Sequence, residues 1–451
     1  MSVAPYPEYK DSGVEWIGTV PKQWSAKRLS FLFRMIGSGT TPPTDEGSYY
    51  DGELPWVTTG ELREVGISDT TKRLTHDALT AFPTLRMYPP GTLLIAMYGA
   101  TIGRLGWLSV SACTNQACCA LAVPQGVSPR FAFFALLAAN EALILLASGG
   151  GQPNINQEKI RAFRLPVPSL AEQEAIAAFL DQETGKIDAL VAEQERLIAL
   201  LKEKRQAVIS QAVTKGLNPN APMKDSGIEW LGQVPAHWRV GKAGFYLDVL
   251  SGFAFPSEGF SEDEQATRLL RGINVSVGEI RWDDVVYWHR RPDDQLERYL
   301  LRQGDLVIGM DRPWIAAGVR VARLGENDTP CLLLQRVARL SVNSKLNDEY
   351  LYSLLASDFF TAHFSPDMTG VSVPHISPDQ IKGFVIPIPP IAEQHAIISH
   401  LKTVVEEIDT LITEATQAIT LLRERRAALI SAAVTGKIDV RSLTPTKQEA
   451  A

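Results

Sequence analysis

Cysteine is scarce in this chain, and its placement excludes two kinds of covalent stabilisation. Only Cys113, Cys118, Cys119 and Cys331 occur among 451 residues. They are too few and too irregularly spaced for a disulfide framework or a zinc site, and their apolar, strand-like surroundings predict reduced core residues. The seven histidines show no metal-ligand spacing; His395 and His400 read as surface and seam-edge positions of a helix. No uninterrupted apolar run reaches the roughly 18 residues of a membrane span. The nearest, Phe131 to Ala147, is broken by Asn140 and Glu141 and reads as a buried helix. The N-terminal MSVAPYPEYKDSG has neither the basic stretch nor the apolar core of an export signal, so a cytoplasmic location without membrane contact is expected.

Catalytic signatures are missing as well. No phosphate-binding G-x-x-x-x-G-K-[ST], no G-x-G-x-x-G after a strand, and no H-E-x-x-H, G-x-S-x-G, zinc-deaminase or Asn/Asp-Pro-Pro-aromatic pattern is present. The glycines from Gly149 to Gly151 run into Gln-Pro-Asn-Ile-Asn and read as a flexible loop. Asp283-Asp284 and Asp293-Asp294 are conceivable ligands of a metal-dependent nuclease, but no catalytic lysine pattern accompanies them. The chain is expected to have no catalytic centre and to bind no cofactor or metal itself.

Positive charge is not in excess. The net charge of −7 argues at first against a nucleic-acid partner. By segment the balance differs: residues 1–165 hold 14 basic and 13 acidic residues, and 218–386 hold 17 and 22. Yet Arg268 to Arg339 contains twelve arginines and no lysine against ten acids. The planar arginine fork suits guanine edges and phosphates; surface ion pairs are the competing reading.

What the chain has is repetition. The stretch from Pro166 to Gly216 returns from Pro387 to Lys437 at an offset of 221, with Ala171-Glu172-Gln173 matching Ala392-Glu393-Gln394 and Ile209-Ser210 matching Ile430-Ser431. Each copy carries a heptad seam. Leu180, Ile187, Leu201 and Val208 form the first, with Leu190 and Leu197 three residues after their seam partners. Leu401, Ile408, Ala415, Leu422 and Leu429 form the second, with Leu411 and Ala418. Val191, Ile198, Ile412 and Ile419 widen each seam to a stripe. Two such stripes are most simply buried against each other, as helices of roughly 65 Å at 1.5 Å per residue.

A shorter motif, Tyr9 to Trp24, recurs as Met223 to Trp238 at an offset of 214. The two repeats interleave as short motif, domain, long helix, twice over. This order predicts a cyclic, pseudo-two-fold layout with antiparallel long helices, with Tyr9–Trp24 beside the end of the second helix near Lys437, and with neighbouring termini. The expected divisions are 1–165, a globular domain; 166–217, a long helix; 218–386, a second globular domain; 387–437, a second long helix; and 438–451, a tail. Both globular domains read as α+β with short strands: Leu54–Leu62, Pro89–Leu108 and Cys113–Val123 in the first, Arg268–Ser276, Arg302–Met310 and Cys331–Leu340 in the second. Their frames repeat and their loops do not, the property expected of two readers of different sequences.

The K-D-S-G-[VI]-E-W-[IL]-G motif, the PGTLLIAMYGATIGRLG and GDLVIGM strands, the NINQEKIRAFRLPVP lead-in and the A-E-Q helices together resemble the specificity subunit of type I restriction-modification systems, from Tyr9 to Lys437. That resemblance implies two target-recognition domains, each reading half of a bipartite, asymmetric double-stranded DNA site, and an antiparallel coiled coil that sets the unread spacer. It implies a non-catalytic subunit assembled with two modification subunits, which use S-adenosylmethionine, and with restriction subunits, which use ATP and Mg. Base contacts specify while phosphate contacts position, so the divergent loops are the candidate DNA-binding residues: Thr40, Thr41, Thr58, Thr59, Tyr98, Thr101 and Arg104 in the first domain, and Arg268, Arg271, Arg290, Arg291, Arg312 and Trp314 in the second. A coiled-coil scaffold without DNA readout and a nuclease are the alternatives.

Overall fold

A computed structural model describes residues 4–147, 154–364 and 374–443. The glycine-rich loop expected from Gly149 lies outside them, as does most of the tail. Contacts divide the chain into two compact units: Met1–Glu195 with Gln417–Ala451, and Arg196–Thr416. The long helices are therefore not units of their own. Each unit contains one globular domain and part of both helices.

In the first unit, a five-stranded sheet runs in the order β1 (Phe33–Ser38), β6 (Cys118–Pro124), β3 (Leu93–Ala96), β4 (Leu105–Leu108) and a short edge strand, Gly66–Ile67. Beside it, β5 (Cys113–Thr114) pairs in parallel with β2 (Tyr50–Val57), Thr114 opposite Val57. Alternation along β3 decides what each face meets. Leu93 and Ile95 join the core that includes the long helices, and Leu94 and Ala96 join a second core with Val57 and Leu62. Cys119 and Cys118 divide between the same two cores, so adjacent cysteines point apart, and all four are free and buried. The expected single helix over Phe131–Ala147 is two, Pro129–Ala138 and Asn140–Leu145, separated at Ala139, whose φ/ψ of −88°/2° leaves the helical region.

The second unit repeats the plan. Its sheet is ordered β7 (Leu247–Ser251), β12 (Val337–Val342), β9 (Leu306–Gly309) and β10 (Val321–Arg323), and β11 (Cys331–Leu333) pairs in parallel with β8 (Thr267–Leu270). Leu306 and Ile308 face the helix-side core, and Val307 faces the other.

The first long helix spans Leu170–Lys215 and the second Ile391–Val434. They run antiparallel within each unit. In the first, Arg423 meets Glu195 (3.0 Å) and Arg426 meets Asp188 (2.9 Å); in the second, Arg205 meets Asp409 (3.1 Å). Leu180, Ile187, Leu201, Leu401, Ile408 and Ala415 are buried as expected, and Val208, Leu422 and Leu429 are half-buried. Leu190, Leu197 and Leu411 are not seam residues: they are 46%, 42% and 47% exposed. The second seam position comes four residues after the first, not three. Thr184, Val191, Ile198, Ile412 and Ile419 occupy it, all buried or half-buried.

At the start of each helix a buried glutamine ties it to its domain. Ser128 N–H donates to Gln173 Oε1 (2.8 Å), and Gln173 Nε2 donates to the Pro168 carbonyl (2.9 Å). Gln394 repeats this with Asn347 N–H (2.7 Å) and the Pro389 carbonyl (2.9 Å). At the far end the helices stop on left-handed glycines, Gly216 (φ +73°) and Gly436 (φ +74°), a usual helix terminator. Each stop rests on a short motif of its own unit. A Cβ on Gly216 would lie 3.1 Å from Trp238, and one on Gly436 would lie 2.4 Å from Pro21. Tyr9 Oη donates to the Gly436 carbonyl (3.0 Å) and Asp439 N–H to the Ala4 carbonyl (2.9 Å). The cyclic closure read from the repeat order is present in the first unit.

Candidate nucleic-acid interface

In the first unit the C-terminal ends of β1, β2, β3 and β5 meet on one rim. Register brings them there: Ser38 pairs with Cys119, Cys118 with Ala96, and Thr114 with Val57. Gly39, just beyond β1, is packed so closely that a Cβ would lie 1.7 Å from the Thr114 carbonyl oxygen. Glycine is required for that approach.

All seven residues expected to read DNA in this unit lie on this rim. Thr40 accepts from the Trp56 indole through its carbonyl (3.3 Å), and Thr41 Oγ1 donates to Gln116 Oε1 (2.6 Å). Thr58 and Thr59 open a 3₁₀ turn, Thr59–Glu61, closed by the Thr58 N–H donating to Glu61 Oε2 (2.7 Å). Thr101 ends the turn Gly99–Thr101, and exposed Arg104 follows, its carbonyl accepting from Ala96 N–H (2.9 Å). Tyr98 bridges Asn154 through the backbone and packs on the core, where burial raises its phenol above the ordinary value.

The second unit builds the same rim from different side chains. Asn115 N–H donates to the Val57 carbonyl, and Leu334 N–H to that of Leu270; Met97 N–H donates to the Ala117 carbonyl, and Met310 N–H to that of Arg336. Gly252 repeats Gly39, with a Cβ 2.1 Å from the Leu334 oxygen. The backbone equivalences pair Thr58 with Arg271, Tyr98 with Asp311, Gln116 with Gln335, Ala117 with Arg336, and Asn154 with His375. Between these loops lies a cleft of about 870 Å³ lined by Arg271, Asn274, Asp311, Arg312, Gln335 and Arg336 among others.

Of the six residues expected in this unit, Arg271 and Arg312 line the cleft. Arg271 also pairs with Asp284 (2.7 Å). The others lie elsewhere. Arg268 sits toward the opposite end of β8, donating to the Asn327 carbonyl (2.7 Å) and stacked 4.5 Å over Trp282. Arg290 and Arg291 follow the strand Tyr287–Trp288, which runs back toward that same end; Arg290 pairs with Glu297, and the Arg291 N–H is capped by Asp294 (2.8 Å). Trp314 is half-buried, its ring edge-on to Phe360 at 6.5 Å. The ion-pair reading holds for Arg290, which meets Glu297, whereas Arg268 is satisfied by a backbone carbonyl and an indole face.

Asn274, Asp311, Arg320, Gln335 and Arg336 also line the cleft, and Gln116 meets Thr41 on the rim of the first unit, none of them among the residues expected from the sequence. A signal was available: CTNQA and LLLQR share a glutamine at an offset of 219. Arg320 works inward, donating to the carbonyls of Val275 (2.9 Å), Asp311 (2.9 Å) and Gly272 and so cross-linking the cleft walls; burial holds its guanidinium below the ordinary value. The acidic pairs serve locally, Asp284 with Arg271 and Asp294 as a backbone cap. Among the described residues, no three His, Cys, Asp or Glu side chains are grouped to hold a metal ion, and no helix is long and apolar enough to cross a membrane.

The family model described as "Type I restriction modification DNA specificity domain" matches residues 21–198 and 287–421. The MjaVIII type I restriction enzyme specificity subunit of Methanocaldococcus jannaschii is 26% identical over 429 residues, covering 94% of this chain and 95% of that protein. The EcoAI specificity subunit of Escherichia coli is 33% identical over 218 residues, covering 48% of this chain and 36% of that one. Two solved structures share the fold. One, from work on complex assembly and conformational transition of the type I R-M system, has a TM-score of 0.69 at 15% identity over 93% of this chain and 99% of its own. The other, the HsdS subunit from Thermoanaerobacter tengcongensis, has a TM-score of 0.52 at 16% identity, covering 93% and 98%. With more than half its length matched by that model, the chain belongs to the family of type I restriction-modification DNA specificity proteins.

Proposed function

We propose that this chain is the DNA-reading subunit of a type I restriction-modification complex, each unit reading one half of a bipartite, asymmetric target in double-stranded DNA. One observation carries this reading: a single backbone frame is built twice, and corresponding rim positions bear different side chains, Thr58 against Arg271, Tyr98 against Asp311 and Ala117 against Arg336. A repeated scaffold with unlike loop chemistry is what an asymmetric target requires.

The subunit acts without catalysis. Two modification subunits supply S-adenosylmethionine-dependent adenine methylation, and restriction subunits supply ATP- and Mg-dependent cleavage. Leu190 and Leu197 on the first long helix and Leu411 on the second are exposed apolar side chains on which those partners dock. Because the chain is net negative, the partners also supply much of the non-specific grip on phosphates.

Replacing residues 25–165 by the corresponding domain of another family member tests the modular reading. Mapping methylated adenines with the assembled complex should show one half-site changed and the other retained. Alteration of both halves or neither sinks it, and absence of sequence-dependent protection leaves a scaffold role.

A further inference from the structure

We infer that Arg336 is the guanine-reading residue of the second unit, held side-on by Asp311 and His375 so that one edge of its guanidinium addresses the DNA major groove. The inference rests on the proposed DNA-reading function and deepens it to one residue and one base.

Arg336 follows Gln335 on the loop between β11 and β12, at the lip of the arginine-lined cleft, and both residues are exposed. Its backbone is left-handed at φ +71°, a conformation L side chains other than Asn and Asp rarely adopt. Strain of this kind persists where surrounding structure imposes it, and it collects at binding sites. The imposing contacts are visible. Gln335 N–H donates to the Phe253 carbonyl (2.9 Å), and the Arg336 carbonyl accepts from Met310 N–H (2.9 Å), so the loop is pinned on both sides.

The side chain is oriented as well. Arg336 Nη1 lies 3.5 Å from Asp311 Oδ1 and 3.3 Å from both ring nitrogens of His375, while His375 Nδ1 lies 2.9 Å from the same carboxylate oxygen. Anchoring through Nη1 leaves Nε and Nη2 with no partner among the described residues. Those two N–H groups form the side-on fork that pairs with guanine O6 and N7. The corresponding position of the first unit holds Ala117, buried and without a donor, so this contact belongs to one half-site only. Arg312, exposed in the same cleft and also left-handed (φ +43°), has no comparable anchor and suits a phosphate.

The test uses the full chain assembled with its modification subunits, comparing wild type, R336G and R336K. Glycine relieves the left-handed backbone and lysine retains charge without the fork. Binding to duplexes carrying each base at each position of the mapped target is measured at several salt concentrations. For R336G, discrimination should fall on the order of tenfold to a hundredfold at one guanine in the half-site read by the second unit, with the other half-site unchanged. R336K should not restore it. R336G should also melt about 2–4 °C higher, as strain relief predicts, which separates lost reading from lost folding. Uniform weakening over all sequences with a shallower salt slope would make Arg336 a phosphate contact and overturn the inference, as would unchanged discrimination. Wild-type complex without any sequence preference would instead remove the underlying function.

Discussion

Gln173 and Gln394 show what single buried polar groups contribute. Each accepts one backbone N–H and donates to two carbonyls, Gln173 to Pro168 and Gly126 and Gln394 to Pro389 and Lys345, at a place water does not reach. Gln173→Ala would orphan the Ser128 N–H and the Pro168 and Gly126 carbonyls, at a cost of about 1–3 kcal/mol. Denaturant melts should show the loss confined to the first unit, with Gln394→Ala acting on the second. The cysteines give a pH dependence. Burial pushes Cys113 up to about 11 and Cys119 and Cys331 up to about 12, whereas an unfolded thiol ionises near about 8.5. With folded values raised, the stabilisation is fully present below about 8.5 and is lost as pH rises toward 11 to 12. Chemical denaturation between pH 8 and 10.5 should show stability falling, and Cys119→Ala should flatten part of the slope. At this scale the sequence was legible where chemistry is local: the cysteines are core residues, and the rim threonines lie on loops beside strands. Arg268 and Arg290 lie away from the cleft, and the carbonyl and carboxylate that satisfy them come from Asn327 and Glu297, whose proximity only the folded chain determines.

Among the elements, the long helices teach most. A 3.5-residue repeat places positions three and four residues beyond a seam residue on either flank of it, and the partner helix decides which is covered. Here position four is covered, and polar residues hide it from a hydropathy reading: Thr184, whose Oγ1 donates to the Leu180 carbonyl (2.6 Å), and Arg426, paired with Asp188. The more apolar Leu190 and Leu197 then pull the reading to the wrong flank. Thermal or urea unfolding distinguishes the two assignments. Leu180→Ala should cost about 2–5 kcal/mol, whereas Leu190→Ala should stay within about 0.5 kcal/mol. The parallel pairs β2–β5 and β8–β11 were legible as strands but not as neighbours, since parallel partners are joined through distant chain and leave no local periodic trace.

For the whole molecule, the interleaved repeats were the most informative feature of the sequence, because order along the chain constrains which ends must meet. The Ala4–Asp439 and Tyr9–Gly436 hydrogen bonds bear this out. A circular permutant with the ends joined near these residues and opened within residues 217–222, where the chain is largely exposed, should fold and melt within a few degrees of the parent. Failure to yield a cooperative transition would count against the closure.

That closure also sets a timetable for synthesis. Trp24, Ile176 and Leu180, made early, share a core with Ile430, Val434 and Val440, made last. The second unit, drawn wholly from the middle of the chain, has all its strands and both helix segments on leaving the ribosome before the first unit is complete. The domain translated first is thus the last to be finished, and a nascent chain stalled after residue 416 would carry a complete second unit and an open first one.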